Sequence, residues 1–485
     1  MSQSTAYQTV IGLEIHIQLD TQRKIFGTEG FAFGHAPNHQ LSPVTISHPG
    51  ALPFFNEQCL AFAIKLGLAT QSHLNSPTYF ARKNYFYPDS PKGYQISQAE
   101  KPICERGVLE IRHPDGTYQS VRITRIHLEE DAGKSIHDLS PQHSHIDLNR
   151  SGVGLLELVT EPELHSPEAA GSFVAEIRRL VRYLGICDGN MEQGSLRCDA
   201  NVSVRKGADA PLGTRVEIKN INSISNVVKA ITYERERQID QLEKGAAIVQ
   251  QTRLWNVDTG RTAPMREKET ADDYRYFPEP DLLPLQFTQE DIDLHQKSLP
   301  ELPLQRFKRY FVTYKLGENE AWALVEQRAT SDYFESLIQL TQDPKSSGNW
   351  LLGEIKAYLN QQNIPIRDFP LKSEKIASLI ELVKSGKLPH HLAKEQLFPA
   401  MLAQPEADPL SLAEEKQLLI ESQAVELETA MQQIMQAFPD EVQRYQQGKK
   451  ALQGFFVGQL MRQFKGKADP KEVNQVVQKS LKKSP

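Results

Sequence analysis

The sequence predicts an α+β protein: an N-terminal, mainly antiparallel β cradle domain with helices, then an all-α helical domain, then a small helical C-terminal tail domain. Three observations carry this. From Thr9 to about Phe287, short segments alternate apolar and polar residues, as strands do with one face in a core and one toward water. Among them "PEAAGSFVAEIRRLVRYLG" has helix-period apolar spacing and ends at Gly185. From "SLPELPLQRFKRYF" onward the spacing is helical throughout. Proline-bearing stretches at Pro300 to Pro303 and Pro405 to Pro409 read as linkers. The expected domains are 1–293, 294–408 and 409–485.

In chain order, "VIGLEIHIQL" sets Leu13, Ile15, Ile17 and Leu19 on one face and Glu14, His16 and Gln18 on the other. "RCDANVSVR" alternates in the same way, with Arg197, Asp199 and Asn201 on its polar face, and "RVEIKNIN" repeats the pattern. "AWALVEQRATSDYFESLIQL" and "GNWLLGEIKAYLNQQ" are helices of the middle region. "ELETAMQQIMQAF" and "VNQVVQKSLKK" belong to the tail, where lysines collect with few acids among them. There Phe455, Phe456, Val457, Leu460 and Met461 form the expected core.

The chain has 485 residues, 39% hydrophobic and 24% charged, ample for a sizeable core. The net charge of −6 does not by itself mark a nucleic-acid binder, although local basic patches act regardless of the total. Four scattered cysteines form no C-x-x-C pair, so no zinc ribbon or redox pair is visible and a reducing compartment is expected. The first residues lack a basic start and an apolar stretch, and no apolar run has membrane-spanning length. A cytoplasmic protein without membrane attachment is expected.

"RIHLEEDAGKS" ends like a phosphate-binding loop, but the glycine such a loop needs five residues before Gly133 is replaced by Leu128. Its acids, Glu129, Glu130 and Asp131, suit phosphate only with a metal between, and Mg²⁺ prefers carboxylate oxygen. Glu14 and His16 point the same way from one strand; alone, a solvent-facing sheet explains them. Glu157 stands among Leu155, Leu156, Leu158 and Val159, where a carboxylate is costly unless paired or metal-bound. A salt bridge to Arg150 is the plain alternative. Together these residues form a candidate set for Mg²⁺ or Mn²⁺. Alternation does not choose between Glu129 and Glu130. "ARKNYFYPDSPKGYQISQ" places Arg82, Lys83 and Lys92 among aromatic rings, a mixture suited to phosphates and bases and equally to an aromatic mini-core. "ETADDYRYFPEPDLLPL" reads as a rigid acidic–aromatic–proline loop.

The phrases "VIGLEIHIQL", "HLEEDAGKS", "DLNRSG", "MEQGSLRCDAN" and "DDYRYFPEPD" together resemble the GatB family, which belongs to the tRNA-dependent amidotransferases known as GatCAB complexes, over nearly the whole chain. The resemblance implies a ligase that turns mischarged Glu-tRNA(Gln) or Asp-tRNA(Asn) into the amide. ATP phosphorylates the side-chain carboxylate, and ammonia then displaces phosphate. It implies partners: an amidase subunit that releases ammonia from glutamine, a further small subunit, and aminoacyl-tRNA. It implies Mg²⁺ held by Glu14, His16, Glu130 and Glu157, ranking Glu130 above Glu129. Lys83 would face the phosphates with Arg82 beside it, Asp199 and Asn201 would lie on the site floor, and the tail would bind the tRNA body. Some relatives carry a cysteine-ligated zinc in the region matching Phe26 to Pro53. That region has no cysteine here, only His35, His39 and His48, and no zinc is expected. A noncatalytic tRNA-binding scaffold and a free-standing ATP-dependent ligase are the alternatives; a scaffold needs no metal ligands, and a free-standing ligase needs no partner chains.

Overall fold

The structure is a computed structural model, and it describes residues 7–137, 139–265, 274–420, 424–464, 468 and 470–483. The chain divides into two compact units, Met1–Arg306 and Phe307–Pro485.

The first unit is built on a nine-stranded sheet. Its strands, with those of two small sheets, are β1 (Tyr7–Gln18), β2 (His73–Leu74), β3 (Ala81–Asn84), β4 (Tyr94–Ser97), β5 (Cys104–Arg112), β6 (Tyr118–Glu130), β7 (Lys134–Ile136), β8 (His145–Asp147), β9 (Gly154–Thr160), β10 (Leu196–Lys206), β11 (Val216–Ile221), β12 (Gln251–Asn256), β13 (Arg261–Pro264) and β14 (Phe277–Pro278). The large sheet runs β13-β12-β11-β10-β1-β9-β6-β5-β2, and β14-β3-β4 form a smaller one. Pairing in the large sheet is antiparallel apart from β11 with β12.

The alternation seen in the sequence sorts the faces. Ile11, Leu13, Ile15 and Ile17 of β1 are buried with Ile126, Leu128, Leu156, Leu158, Cys198 and Ala200 of its neighbours. Three helices cover this face: α1 (Glu57–Ala69), α2 (Pro167–Leu184) and α3 (Ile224–Glu243). The α2 boundaries follow from its caps. Ser166 accepts from the Ala169 amide, Pro167 opens the first turn, and Gly185 closes it at φ 66°, where a β-carbon would be strained.

The expected boundary at 293 falls inside a helix. That helix, α4 (Gln289–Ser298), packs on α1, and Ile292, Leu299 and Leu302 join the first unit's core. Burying this apolar stripe carries the division to Arg306.

The second unit is helical among its described residues. Its last helices, from Ala424–Ala437 to Pro470–Lys483, enclose a cluster of their own that includes Leu427, Met431, Phe456, Leu460, Val473 and Val477. Phe455, Val457 and Met461 pack against it half-buried. Lys449, Lys450, Arg462, Lys471, Lys479 and Lys482 are exposed or half-exposed, while Lys465 and Lys467 lie outside the described residues. Among the described residues, no helix is long and apolar enough to cross a membrane.

Candidate functional site

The polar face of the large sheet gathers side chains by register. Across four adjacent strands, Arg197 on β10 lies opposite His16 on β1, His16 opposite Glu157 on β9, and Glu157 opposite His127 on β6. Two residues along, on the same face, Glu14 faces Asp199. Cross-strand pairs on one face stand about 5 Å apart, so residues distant in sequence become a single cluster. Glu157 tolerates its apolar neighbours because β9 is a central strand: Leu156 and Leu158 enter the helical core while the carboxylate takes the other face.

His16 Nε2 lies 3.4 Å from Glu157 Oε2, 3.5 Å from Glu129 Oε1 and 3.7 Å from Glu14 Oε1. Donor atoms of His16, Glu129 and Glu157 fall within 4.8 Å of one another, as do those of Glu14, His16 and Asp199. His35, His39 and His48 belong to neither group. Such oxygen-rich sets with one imidazole fit Mg²⁺ or Mn²⁺.

The structure thus brings Glu14, His16 and Glu157 together, with Glu129 as the acid from β6. Glu130 lines the same cavity but belongs to neither close group of donor atoms. Its carboxylate pairs with Lys92 and accepts the Ile96 amide at 2.8 Å. The physical reason is phase: Glu129 shares its strand face with His127, and Glu130 shares its with Leu128.

The smaller sheet and its loops lie over the acids and supply cations. A cavity of about 240 Å³ is lined by Glu14, His16, Glu129, Glu130 and Glu157 and by Lys83, Lys92, Arg197 and Lys219. Lys83 Nζ stands 4.9 Å from the Tyr274 ring centre. Burial works against its charge, but Glu129, Tyr276 and Glu157 raise its pKa overall. Lys219 holds Asp199 at 2.7 Å and Glu217 at 3.0 Å. Arg197 holds Asp131 at 2.8 Å; Arg150 pairs with Asp131 at 3.4 Å, and Glu157 has Arg125 at 3.6 Å.

Arg82 does not line this cavity. Glu279 grips it with two hydrogen bonds of 2.7 and 2.8 Å, Asp281 adds a third at 3.2 Å, and the Tyr94 ring stacks on it. Glu279 is fully buried at its side chain, so this guanidinium is held where β3 pairs with β14. Asp199 and Asn201 share a strand face, and neither is among the residues that line the cavity. Within "DDYRYFPEPD", Asp272 and Asp273 lie outside the described residues.

Electrostatics tie the acids to the imidazoles. Burial disfavours the His127 cation, yet Glu157 and Glu129 outweigh it and raise its pKa to about 9. His16 is raised by the same balance. Glu157, despite burial, is held well below the usual carboxylate range by His127 and His16. Burial, followed by repulsion from Glu157, raises Glu14.

Sequence reasoning passed over His127, Arg197 and Lys219 as site residues. Their signal was present: each shares an alternating face with an acid of the same strand, namely Glu129, Asp199 and Glu217 respectively.

An acid-and-imidazole floor beneath lysines and arginine defines a class of site: one that brings negatively charged groups together, often with a divalent cation. Comparison with known proteins narrows the class. Residues 9–293 match the GatB/GatE catalytic domain, and residues 332–481 match the GatB domain. The chain belongs to the GatB family. It is 46% identical over 99% of its length to the GatB subunit of the aspartyl/glutamyl-tRNA(Asn/Gln) amidotransferase of Thermosynechococcus vestitus, covering 97% of that protein. It is 46% identical over 98% of its length to the same subunit of Solidesulfovibrio magneticus, and 45% over 99% to that of Rickettsia bellii, covering 99% of each.

Proposed function

We propose that this chain is the amidating subunit of a tRNA-dependent amidotransferase. It works in the cytoplasm with two partner chains of a GatCAB complex, the ammonia-releasing amidase and the small subunit. It converts Glu-tRNA(Gln), Asp-tRNA(Asn) or both to the amide. One observation carries the reading: a single cavity holds the His16–Glu129–Glu157 cluster and the cations Lys83, Lys92 and Arg197.

The chemistry joins anions. The aminoacyl carboxylate attacks the γ-phosphorus of ATP and ADP departs. Ammonia, delivered from glutamine by the partner, then attacks the acyl carbon; phosphate leaves and a proton is shed. Lys83 and Lys92 bind the phosphate oxygens. Asp199, fixed by Lys219, lies beside His16 as an acceptor for the proton that ammonia loses. Glu14, His16, Glu129 and Glu157 would hold Mg²⁺, their donor chemistry fitting a hard cation. When bound, that ion neutralises charge on the transferring phosphoryl group. Glu129 takes the ligand place first assigned to Glu130, whose carboxylate is occupied by Lys92 and the Ile96 amide.

A noncatalytic scaffold has no use for three acids crowded against one histidine. The deciding experiment reconstitutes the complex and assays each mischarged tRNA separately with ATP and glutamine. Amide formation on at least one tRNA is expected. ATP-independent amidation, or none on either tRNA, overturns the reading.

A further inference from the structure

His127 is buried, 4% exposed, and its ring is absent from the cavity lining. Its Nε2 approaches Glu157 Oε2 at 3.4 Å and Glu129 Oε2 at 3.5 Å. The same carboxylates meet His16 through Glu157 Oε2 at 3.4 Å and through the other Glu129 oxygen, Oε1, at 3.5 Å. Glu129 therefore has an imidazole at each oxygen, His16 in the cavity and His127 outside it. Ser97 Oγ, 3.4 Å from Glu129 Oε2, adds a second contact on the His127 side. The other His127 nitrogen, Nδ1, is buried without a hydrogen-bond partner.

Packing alone does not account for this residue. A phenyl ring fills nearly the same space without burying an unpaired nitrogen, which is unfavourable. Two carboxylates this close also repel unless a donor stands beside both. A carboxylate that receives a cation on one side is oriented by what it meets on the other, and such outer contacts commonly set metal affinity.

We propose that His127 is a positioning residue whose Nε2–H holds Glu129 and Glu157 in the orientation that receives a divalent cation together with His16. This rests on the cation site proposed above. The neutral tautomer carrying its proton on Nε2 is sufficient, so the role needs no change of protonation. The ring touches neither the cavity nor the reacting groups. Its loss therefore acts through the carboxylates, first on cation affinity and only then on turnover.

The test is Mn²⁺ binding to the assembled complex, followed by calorimetry and by the paramagnetic signal of free Mn²⁺, for wild type, His127→Phe, His127→Gln and His127→Asn. Phe keeps the ring volume and removes the donor. Gln carries an amide nitrogen near the place of Nε2; Asn is too short to do so. His127→Phe and His127→Asn should weaken Mn²⁺ binding about 10- to 100-fold, and His127→Gln should recover most of it. In His127→Phe the Mn²⁺ concentration for half-maximal transamidation should rise by a similar factor, with turnover largely restored at saturation. Tight wild-type binding that His127→Phe leaves unchanged, or a His127→Gln no better than His127→Asn, overturns the role of His127 alone. Wild type without saturable Mn²⁺ binding overturns the cation site and this inference with it.

Discussion

Lys92 and Glu130 form an ion pair in which both side chains are largely withdrawn from water, 12% and 5% exposed. The next residue back, Glu129, carries its carboxylate to His16 and His127 instead. Adjacent acids of one strand therefore have different tasks, and substitution should separate them. Glu129→Gln should lose Mn²⁺ affinity with little loss of stability. Glu130→Gln should keep Mn²⁺ affinity near wild type but strand the Lys92 charge, costing about 3 kcal/mol, read as a lower urea midpoint. Equal effects of the two changes on Mn²⁺ binding would defeat the division.

The central place of Glu157 leads to a second expectation. It is opposed across the sheet by His16 on one side and His127 on the other. Glu157→Ala should abolish ATP-dependent phosphoryl transfer to mischarged tRNA, measured as ADP release, while the partner amidase continues to hydrolyse glutamine. Full transamidation by Glu157→Ala would remove this residue from the site.

Arg82 and Lys83, neighbours in sequence, should behave as differently as the two glutamates. Arg82→Ala leaves the buried Glu279 carboxylate unpaired, a loss of about 3–5 kcal/mol, and should lower the melting temperature while leaving the KM for ATP nearly unchanged in the folded fraction. Lys83→Met removes a cation that lines the cavity and should lower the phosphoryl-transfer rate about 10²-fold with a smaller effect on melting. A raised ATP KM in a fully stable Arg82→Ala protein would return Arg82 to the nucleotide site.

These contrasts mark what the sequence could convey. Period-two alternation disclosed which residues share a strand face, so Glu14 with His16, and Asp199 with Arg197, were legible as neighbours. It does not encode register between strands, and register is what sets His127 and His16 against Glu157. Alternation sets Glu129 with His127 and Glu130 with Leu128, but without register it does not say which of these faces meets His16, so Glu129 and Glu130 could not be ranked. Arg82 belonged visibly to a basic, aromatic cluster, but its direction is set by Glu279, 197 residues away.

The tail supplies the last expectation. Its helices close on their own hydrophobic cluster, with Phe456, Leu460 and Val477 inside and Lys449, Lys450, Arg462 and Lys482 outside. A core that is complete without the preceding helices can be removed with little damage to what remains. A cationic exterior on an otherwise acidic chain suits a phosphate backbone, and such binding weakens steeply with salt because counterions are released. Lys479 is already paired with Glu428 at 2.8 Å, so it contributes less than the lysines near Gly448. Deleting residues from 424 onward should therefore raise the KM for aminoacyl-tRNA strongly, with ATP binding and partner-dependent glutamine hydrolysis nearly intact. Lys449→Glu with Lys450→Glu should act more mildly, lowering the slope of log affinity against log salt by about 1–2. The measurement is tRNA binding to the assembled complex across a salt series. A truncated complex that binds and amidates tRNA as well as the full one would show that the tail does not dock tRNA.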